Sequence, residues 1–294
     1  MYQKLLIGLL AGIIFPLCSI AQEIKKETTP ETKAEKVQEK KLYSISQFVH
    51  ESYLFVQQPT KWKGMDWLKL GLVVGTTASI MTLDQYIINS TQGQQRFYYS
   101  LPIVGGRVYG EWYAIGGVAG TFGLYGLIAS NNSAKKISIE LLQAGIYSEL
   151  ATIMLKIVIG RARPLTGETA FSYRPFTVLD DDFHSMPSGH TTSAMALSTV
   201  MSRHAHKTVF KILAYAPAAF TMFSRIYQDK HWLSDEVIAA SIGYFVGNWV
   251  VDLHEGKRHR INVTSVYPTT RITVSLDKLP PKMTNPRQVV NQIR

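Results

Sequence analysis

The sequence contains a single cysteine, Cys18, among its 294 residues. One cysteine cannot form an intramolecular disulfide, and it cannot build a cluster of thiolates around a metal ion. Cys18 also lies inside a predicted signal peptide, and cleavage after Ala21 would leave a mature chain with no cysteine. The scarcity of cysteine therefore excludes a cysteine nucleophile and a thiolate metal centre from the mature protein.

Acidic residues are also few, with 21 Asp and Glu against 31 Lys and Arg and a formal net charge of +10. Much of this excess lies in residues 254–294, which contain eight Lys and Arg and two acidic residues. That tail lacks the interleaved aromatic residues of a single-strand binding surface. A basic tail after an apolar segment is more typical of the cytoplasmic edge of a membrane protein or of a contact with anionic lipids. We expect a membrane partner and no nucleic-acid partner.

The first 21 residues have the pattern of an export signal. Lys4 supplies the positive charge, residues 5–17 form an apolar stretch, and small residues precede Gln22. Because a comfortable membrane span needs about 20 apolar residues, this thirteen-residue stretch favours a signal peptide at 1–21 over an uncleaved signal anchor. Residues 22–65 are predicted as a flexible charged tether, which holds almost no large apolar side chains, followed by a short interfacial helix.

Residues 66–253 are organised as apolar blocks without period-two alternation, which predicts helices. The predicted fold class is all-α, a bundle of six hydrophobic helices that we expect to span a membrane. The blocks are residues 68–88, 109–129, 137–159, 190–201, 209–226 and 236–253. Three of the blocks contain an acidic residue: Asp84, Glu140 or Glu149. Because these blocks carry charge, a soluble helical bundle is the alternative to a membrane bundle. Residues 254–294 form the tail, with a short β-hairpin predicted around Pro268.

The basic residues between the blocks predict an orientation in the bacterial inner membrane. Lys135, Arg203 and Lys257 mark three places on one side of a six-span bundle, which the positive-inside rule makes cytoplasmic. The connections after the third and fifth blocks then face the periplasm. A cleaved signal peptide would leave the mature N-terminus outside and would invert six spans, so the sequence leaves the topology open.

The first motif ends the third block, with Lys156, Arg163 and Pro164 in the segment KIVIGRARP. Lys156 and Arg163 are seven residues apart, about two helical turns, so both side chains can lie on one face. Pro164 biases Arg163 towards an extended backbone that lets the guanidinium turn back over the helix end. The planar guanidinium of Arg163, beside the compact positive charge of the Lys156 ammonium, suits a phosphate group. The alternative is a pair of basic residues flanking a membrane helix, and Arg161 is a weaker candidate than Arg163.

The second motif opens the fourth block, with Ser188, Gly189 and His190 in the segment PSGHTT. Ser188 is a suitable N-cap, and Gly189 lets a ligand approach the backbone closely. The free N–H groups of a first helical turn attract an anion. His190 would then lie beside a bound phosphate, although an ordinary capped helix with a surface histidine has the same sequence.

The third motif joins the fifth and sixth blocks, with Arg225, His231 and Asp235 in the segment SRIYQDKHWLSD. His231 and Asp235 are four residues apart at a helix start and share a face. A carboxylate on one imidazole nitrogen fixes the tautomer and leaves the other nitrogen free to attack. A lone pair of this kind is usually a surface salt bridge. Three such motifs at helix ends on one side of a bundle instead indicate phosphoryl transfer.

Together the three motifs resemble the tripartite signature of the type 2 phosphatidic acid phosphatase and vanadium haloperoxidase superfamily. The resemblance covers residues 156–235 and implies a phosphatase without cofactor or metal ion. It implies that His231 attacks phosphorus, that Asp235 orients His231, and that His190 protonates the leaving oxygen. The phosphoryl oxygens would be held by Lys156, Arg163, Ser188, Gly189 and Arg225.

The expected substrates are lipid phosphates or diphosphates: phosphatidic acid, phosphatidylglycerophosphate, a polyprenyl diphosphate or a lipid A phosphate. A vanadate-dependent haloperoxidase and a catalytically inactive scaffold or transporter remain as alternatives. The Asp180–Asp182 run is interpreted as a solvated loop rather than a metal site. Trp232 is expected at the membrane interface, His184 is expected to have no role, and Asp84 is a candidate for a buried polar role.

Overall fold

The computed structural model describes residues 43–91 and 95–256. The predicted signal peptide, the tether at residues 22–41 and the predicted β-hairpin lie outside the described residues. Within the described residues the chain folds into nine α-helices: α1 (Ile45–Val56), α2 (Gly64–Thr91), α3 (Leu101–Tyr109), α4 (Trp112–Ile128), α5 (Asn132–Ile159), α6 (Gly189–His204), α7 (Thr208–Leu213), α8 (Ala216–Tyr227) and α9 (Leu233–His254). This part of the chain contains no β-strand, so the all-α prediction is confirmed.

The predicted blocks correspond to α2, α4, α5, α6, α7 with α8, and α9, with shifted boundaries. Helix α5 begins earlier than its block, because the Asn131 side chain caps it by accepting a hydrogen bond of 2.9 Å from the Ala134 N–H. The fifth block is divided into α7 and α8, and Pro217 lies in the first turn of α8, where a missing N–H does no harm.

Helix α3 was not predicted, since it has only nine residues and contains two glycines. It is stabilised by close packing against α8. A Cβ atom on Gly106 would lie only 2.3 Å from the Phe220 carbonyl oxygen, so only glycine allows this approach. The hydroxyls of Thr221 and Ser224 donate hydrogen bonds of 2.7 Å to the carbonyls of Gly106 and Ile103.

Among residues 43–91 and 95–256, three stretches have the length and the apolar composition to cross a membrane. They are Asn132–Ile159, Thr208–Tyr227 and Leu233–His254. Large apolar side chains such as Met154 and Leu150 of α5 are exposed along them, as expected of a surface that faces lipid. These features indicate a membrane protein.

Helix α6 occupies the centre of the bundle, between α5 and α9, and the apolar core is formed around it. Gly243 of α9 faces α6 so closely that a Cβ atom would lie 2.4 Å from the Thr192 carbonyl oxygen. Small residues at a helix contact allow this kind of packing in membrane proteins. The N-terminus of α6 is thereby held against the neighbouring helix ends that carry the sequence motifs.

The predicted interfacial helix corresponds to α1, which Ser44 caps by accepting a hydrogen bond from the Gln47 N–H. It packs on α5 through Phe55, whose ring stacks on that of Tyr147 at a centroid distance of 4.7 Å. The carboxylate of Glu51 is buried in this contact and accepts a hydrogen bond of 2.7 Å from Gln143.

Candidate active site

Four helix ends meet at one end of the bundle and carry the three motifs. Helix α5 ends at Gly160, which adopts a left-handed conformation (φ 58°). A side chain there would overlap the Arg174 carbonyl, whose oxygen would lie 1.8 Å from a Cβ atom. This turn positions the residues after Lys156. Helix α6 begins just after Ser188, α8 ends just after Arg225, and α9 begins just before Asp235.

His231 lies at the centre of this region and is almost completely buried. Its Nδ1 atom is 2.7 Å from the carbonyl oxygen of Ser185. A carbonyl oxygen can only accept a hydrogen bond, so Nδ1 carries the proton and Nε2 retains its lone pair. The hydrogen-bond partner of His231 is thus a backbone atom that no motif revealed.

The three cationic residues of the motifs contribute to a lowered pKa of His231. Burial first, and then the positive charges of Lys156, Arg163 and Arg225, hold the pKa of His231 well below its usual value. The imidazole is therefore neutral at physiological pH. Cationic residues from all three motifs therefore lie close enough to His231 to affect its charge.

Each cation has a distinct environment. The Lys156 ammonium donates to the His184 carbonyl oxygen, and Arg163 donates a hydrogen bond of 2.7 Å to the Asp181 carboxylate. The Arg225 guanidinium donates through Nη1 to Gln228 at 2.7 Å, whereas its buried Nε has no hydrogen-bond partner among the described residues. An unpaired buried donor is unfavourable, and it marks a place where an anionic ligand can bind.

The N-terminus of α6 faces the same region. Ser188 is completely buried and caps the helix, with its hydroxyl accepting from the Thr191 N–H at 3.5 Å. Gly189 is the first helical residue, and a Cβ atom there would lie 3.1 Å from a carboxylate oxygen of Glu149. Ser188 and Gly189 therefore occupy the capping and first-turn positions that the sequence predicted, where backbone N–H groups favour an anion.

His190, in the first turn of α6, faces Glu111 at the start of α4. Its Nε2 atom lies 3.2 Å from a Glu111 carboxylate oxygen. Gly110 allows this approach, since a Cβ atom there would be 2.8 Å from His190. Burial, followed by the charge of Arg225, lowers the pKa of His190 to about 4, and Glu111 counteracts this shift. Glu111 was missed because nothing in its sequence neighbourhood resembles a motif.

Asp235 contacts His231 less directly than the resemblance implied. The nearest carboxylate oxygen is 3.8 Å from His231 Nδ1, beyond hydrogen-bond distance. That oxygen instead accepts from the Ser185 hydroxyl at 2.5 Å and from the Trp232 N–H at 2.9 Å. Asp235 thus fixes both the residue that binds His231 and the turn that carries it.

A second buried network holds Asp235 from the other side. The fully buried Arg161 donates to Asp235 at 2.6 Å and to Asp84 of α2 at 2.8 Å. Ser234 bridges the same groups, since its N–H donates to Asp84 at 3.0 Å. Arg161 is therefore engaged with carboxylates rather than with the region predicted to bind phosphate, and Asp84 has a buried polar role.

Two further expectations from the sequence differ from the structure. Trp232 was expected at the membrane interface, but it is buried and its indole N–H donates to the Ala162 carbonyl at 2.8 Å. His184 was expected to have no role, but its backbone carbonyl is the acceptor for Lys156. Its ring nitrogen also lies 2.8 Å from the Thr177 carbonyl oxygen. Both expectations failed because the connection 160–188 folds back over the site.

Of the acidic run, Asp181 pairs with Arg163, and Asp180 caps a short 3₁₀ turn at Asp181–Phe183. In the described ranges, 43–91 and 95–256, no group of three or more His, Cys, Asp or Glu residues is arranged to hold a metal ion.

Comparison with known proteins agrees with the motifs. Residues 139–258 match the family model of the PAP2 superfamily. This range includes every motif residue.

Two individual proteins are similar to this chain. A lipid A 1-phosphatase of Porphyromonas gingivalis is 34% identical over 103 residues, which represent 33% of this chain and 20% of that protein. The chain thus matches about one fifth of the length of this curated relative. The crystal structure of Aquifex aeolicus LpxE overlaps 58% of this chain and 93% of that chain, with 21% sequence identity and a TM-score of 0.41.

Proposed function

We propose that this protein is a lipid phosphatase in which His231 attacks phosphorus and forms a phosphohistidine. The observation that carries this proposal is the 2.7 Å contact between His231 Nδ1 and the Ser185 carbonyl oxygen. It leaves Nε2 unprotonated, and a neutral imidazole nitrogen is the nucleophile that this reaction requires. The lowered pKa of His231 keeps the ring in this state.

The phosphoryl oxygens bind between Lys156, Arg163 and Arg225 and the N-terminus of α6. Phosphoryl transfer depends mainly on positioning and on stabilising charge on the equatorial oxygens. Three cations and the first-turn N–H groups after Ser188 meet that requirement. The unpaired Nε of Arg225 gains a partner when phosphate binds.

The reaction proceeds in two steps. First, His231 Nε2 forms a bond to phosphorus while the bond to the lipid oxygen breaks, and His190 donates a proton to that oxygen. Second, a water molecule attacks phosphorus, His190 accepts its proton, and the N–P bond breaks to release inorganic phosphate. One histidine therefore serves first as general acid and then as general base.

His190 must be protonated at the start, although in the empty site its pKa is lowered to about 4. The phosphate of the substrate brings negative charge close to His190, which raises its pKa when the substrate binds. Glu111 acts in the same direction from the other side. We assign Glu111 as a positioning residue that keeps His190 in place and favours its protonated form.

A lipid substrate is supported by the candidate membrane spans on three of the helices that bear the site. The name of the Porphyromonas gingivalis relative makes a lipid A phosphate the first substrate to test. Phosphatidic acid, phosphatidylglycerophosphate and a polyprenyl diphosphate follow. We place the site on the periplasmic face of the inner membrane, on the basis of the basic residues between the helices.

The test is phosphate release from a panel of lipid phosphates and water-soluble phosphomonoesters by protein in detergent, with EDTA present. We expect release from at least one lipid phosphate, no requirement for divalent metal, and inhibition by vanadate as a phosphate mimic. A strict dependence on added metal would contradict the proposed mechanism. Halide oxidation that needs vanadate and peroxide would assign the protein to the haloperoxidase branch instead.

A further inference from the structure

The corner between α3 and α4 lies on the side of the active site from which the leaving group departs. His190 is the residue that we assign to protonate the leaving oxygen, so the group attached to that oxygen lies beyond His190. On that side the His190 ring faces Glu111, and the two side chains are 28% and 27% exposed. The site therefore opens at this corner, and a leaving group meets the charged residues of the corner.

Helix α3 holds a further cation, Arg107, beside the end of α8. The Ser224 hydroxyl, next to Arg225 in the chain, donates a hydrogen bond of 2.7 Å to the Ile103 carbonyl oxygen. Arg107 follows Ile103 by four residues, about one helical turn. Because helical side chains incline towards the N-terminus of their helix, Arg107 inclines towards Ile103 and hence towards the end of α8 that carries Arg225.

Arg107 also lies near the face of α3 that contacts His190. That contact is made at Gly110, where a Cβ atom would be 2.8 Å from the His190 Cβ atom. Arg107 precedes Gly110 by three residues, so the two positions differ by only about 60° around the helix axis. The position of Arg107 is therefore between Arg225 on one side and His190 on the other.

The charge of Arg107 has no partner of opposite sign in the part of the chain that the structure describes. The side chain is exposed, and it forms no ion pair with a carboxylate of residues 43–91 or 95–256. Its positive charge is close enough to the Arg225 guanidinium and to the Tyr113 phenol to affect their ionisation. Two guanidinium groups this close repel each other in the empty site, and an anion that contacts both is favourable.

We infer that Arg107 binds a second phosphate, attached to the leaving oxygen, and that the protein prefers lipid diphosphates to lipid monophosphates. The inference rests on the proposed function, because it names the substrate class of that same site. Lys156, Arg163 and Arg225 already provide the cations for the phosphoryl group that is transferred. A substrate with an alcohol as leaving group leaves Arg107 without an anion, whereas a diphosphate places its inner phosphate there.

The reaction with a diphosphate follows the two steps given above. His231 Nε2 forms a bond to the outer phosphorus while the bond from that phosphorus to the bridging oxygen breaks. The bonding electrons stay on the bridging oxygen, which accepts the proton of His190, and the lipid monophosphate leaves. Negative charge builds up on the inner phosphate as the bond breaks, so Arg107 stabilises the transition state more than the bound substrate.

The test compares farnesyl diphosphate with farnesyl monophosphate, which share one tail and differ by one phosphate. For Arg107→Gln we expect kcat/KM for the diphosphate to fall about tenfold, as for the loss of one charge-assisted hydrogen bond at an exposed position. The value for the monophosphate should change little, and Arg107→Lys, which keeps the charge, should recover most of the loss. Arg96→Gln is the matched control, because Arg96 is exposed and its guanidinium lies over the Phe97 ring at 5.5 Å. It should leave both activities unchanged.

Binding of inorganic diphosphate gives a readout that does not need turnover. In the His231→Ala background, isothermal titration should show tighter binding of inorganic diphosphate than of inorganic phosphate, and Arg107→Gln should remove this difference. A wild-type preference for the monophosphate, an equal loss on both farnesyl substrates in Arg107→Gln, or an unchanged affinity for inorganic diphosphate would overturn the inference. Failure of the wild-type protein to hydrolyse any lipid phosphate or diphosphate would instead contradict the proposed function, while the titration would still test Arg107.

Discussion

The carbonyl oxygen of Ser185 is 2.7 Å from Nδ1 of His231 and determines which nitrogen of that ring is free. The third motif predicted that the Asp235 carboxylate would fix the tautomer of His231. In the structure the Asp235 carboxylate lies 3.8 Å from Nδ1 and binds the Ser185 hydroxyl instead. The carboxylate therefore acts on His231 through Ser185, and the two residues have separable roles.

Replacing the nucleophile should abolish turnover. For His231→Ala we expect kcat to fall by about 10³-fold or more, because no other residue of the site is placed to attack phosphorus. Binding of vanadate should persist, since the cations remain. His50→Ala is the control, because His50 is exposed on α1. Near-normal activity of His231→Ala would remove His231 from the mechanism.

Asp235→Asn tests the indirect role of the carboxylate. The variant keeps a side-chain oxygen, but it loses the negative charge that pairs with Arg161. We expect kcat to fall by about 10²-fold, with little change in KM, because small errors in the position of a catalytic group have effects of that size. A loss as large as that of His231→Ala would show instead that Asp235 takes part in the chemistry directly.

The buried ion pairs of Arg161 with Asp84 and Asp235 predict how a substitution of Arg161 changes the free energy of unfolding. Arg161→Met should lower the free energy of unfolding by about 3–5 kcal/mol, because it leaves two buried carboxylates without their cation. Thermal unfolding in detergent measures this effect. Lys69→Met removes an exposed ion pair with Asp66 and should change stability by less than about 1 kcal/mol. Equal effects of the two variants would contradict the assigned network.

The contact between Glu111 and His190 predicts a change in pH dependence. Glu111→Gln removes the negative charge that raises the pKa of His190. The pKa then falls further, and at a given pH less of the general acid is protonated. The alkaline limb of the kcat/KM profile should therefore move to lower pH, while Glu111→Asp should largely restore it. Glu168→Gln, in an exposed part of the connection after α5, is the control. A lower rate with an unshifted profile would indicate that Glu111 has only a structural role.

The sequence could indicate candidate residues for the site, but it could not indicate their hydrogen-bond and ion-pair partners. Lys156, His190 and His231 could be found because each occurs in a motif with fixed spacing at a helix end. Arg161 and Asp84 are 77 residues apart, and their ion pair depends on how α2 packs against the turn after α5. Spacing along one helix carries no information about such a contact.

Elements that depend on packing were also missed. Helix α3 has a weak local signal, because its two glycines lower its intrinsic helix propensity. It forms because Gly106 fits against the backbone of α8. Trp232 was misplaced for a related reason. A tryptophan beside an apolar helix can lie at the membrane interface or inside the protein, and only the fold provides the Ala162 carbonyl that its indole binds.

Direct detection of the covalent intermediate is the most decisive measurement. The His190→Ala variant, given 4-nitrophenyl phosphate, retains a nucleophile and a leaving group that needs no protonation, but it lacks the base that activates water. Phosphate should therefore accumulate on the protein. Mass spectrometry after an alkaline quench should find it on His231, and acid should release it. Phosphate on another residue, or turnover in this variant without any phosphorylated protein, would contradict the account.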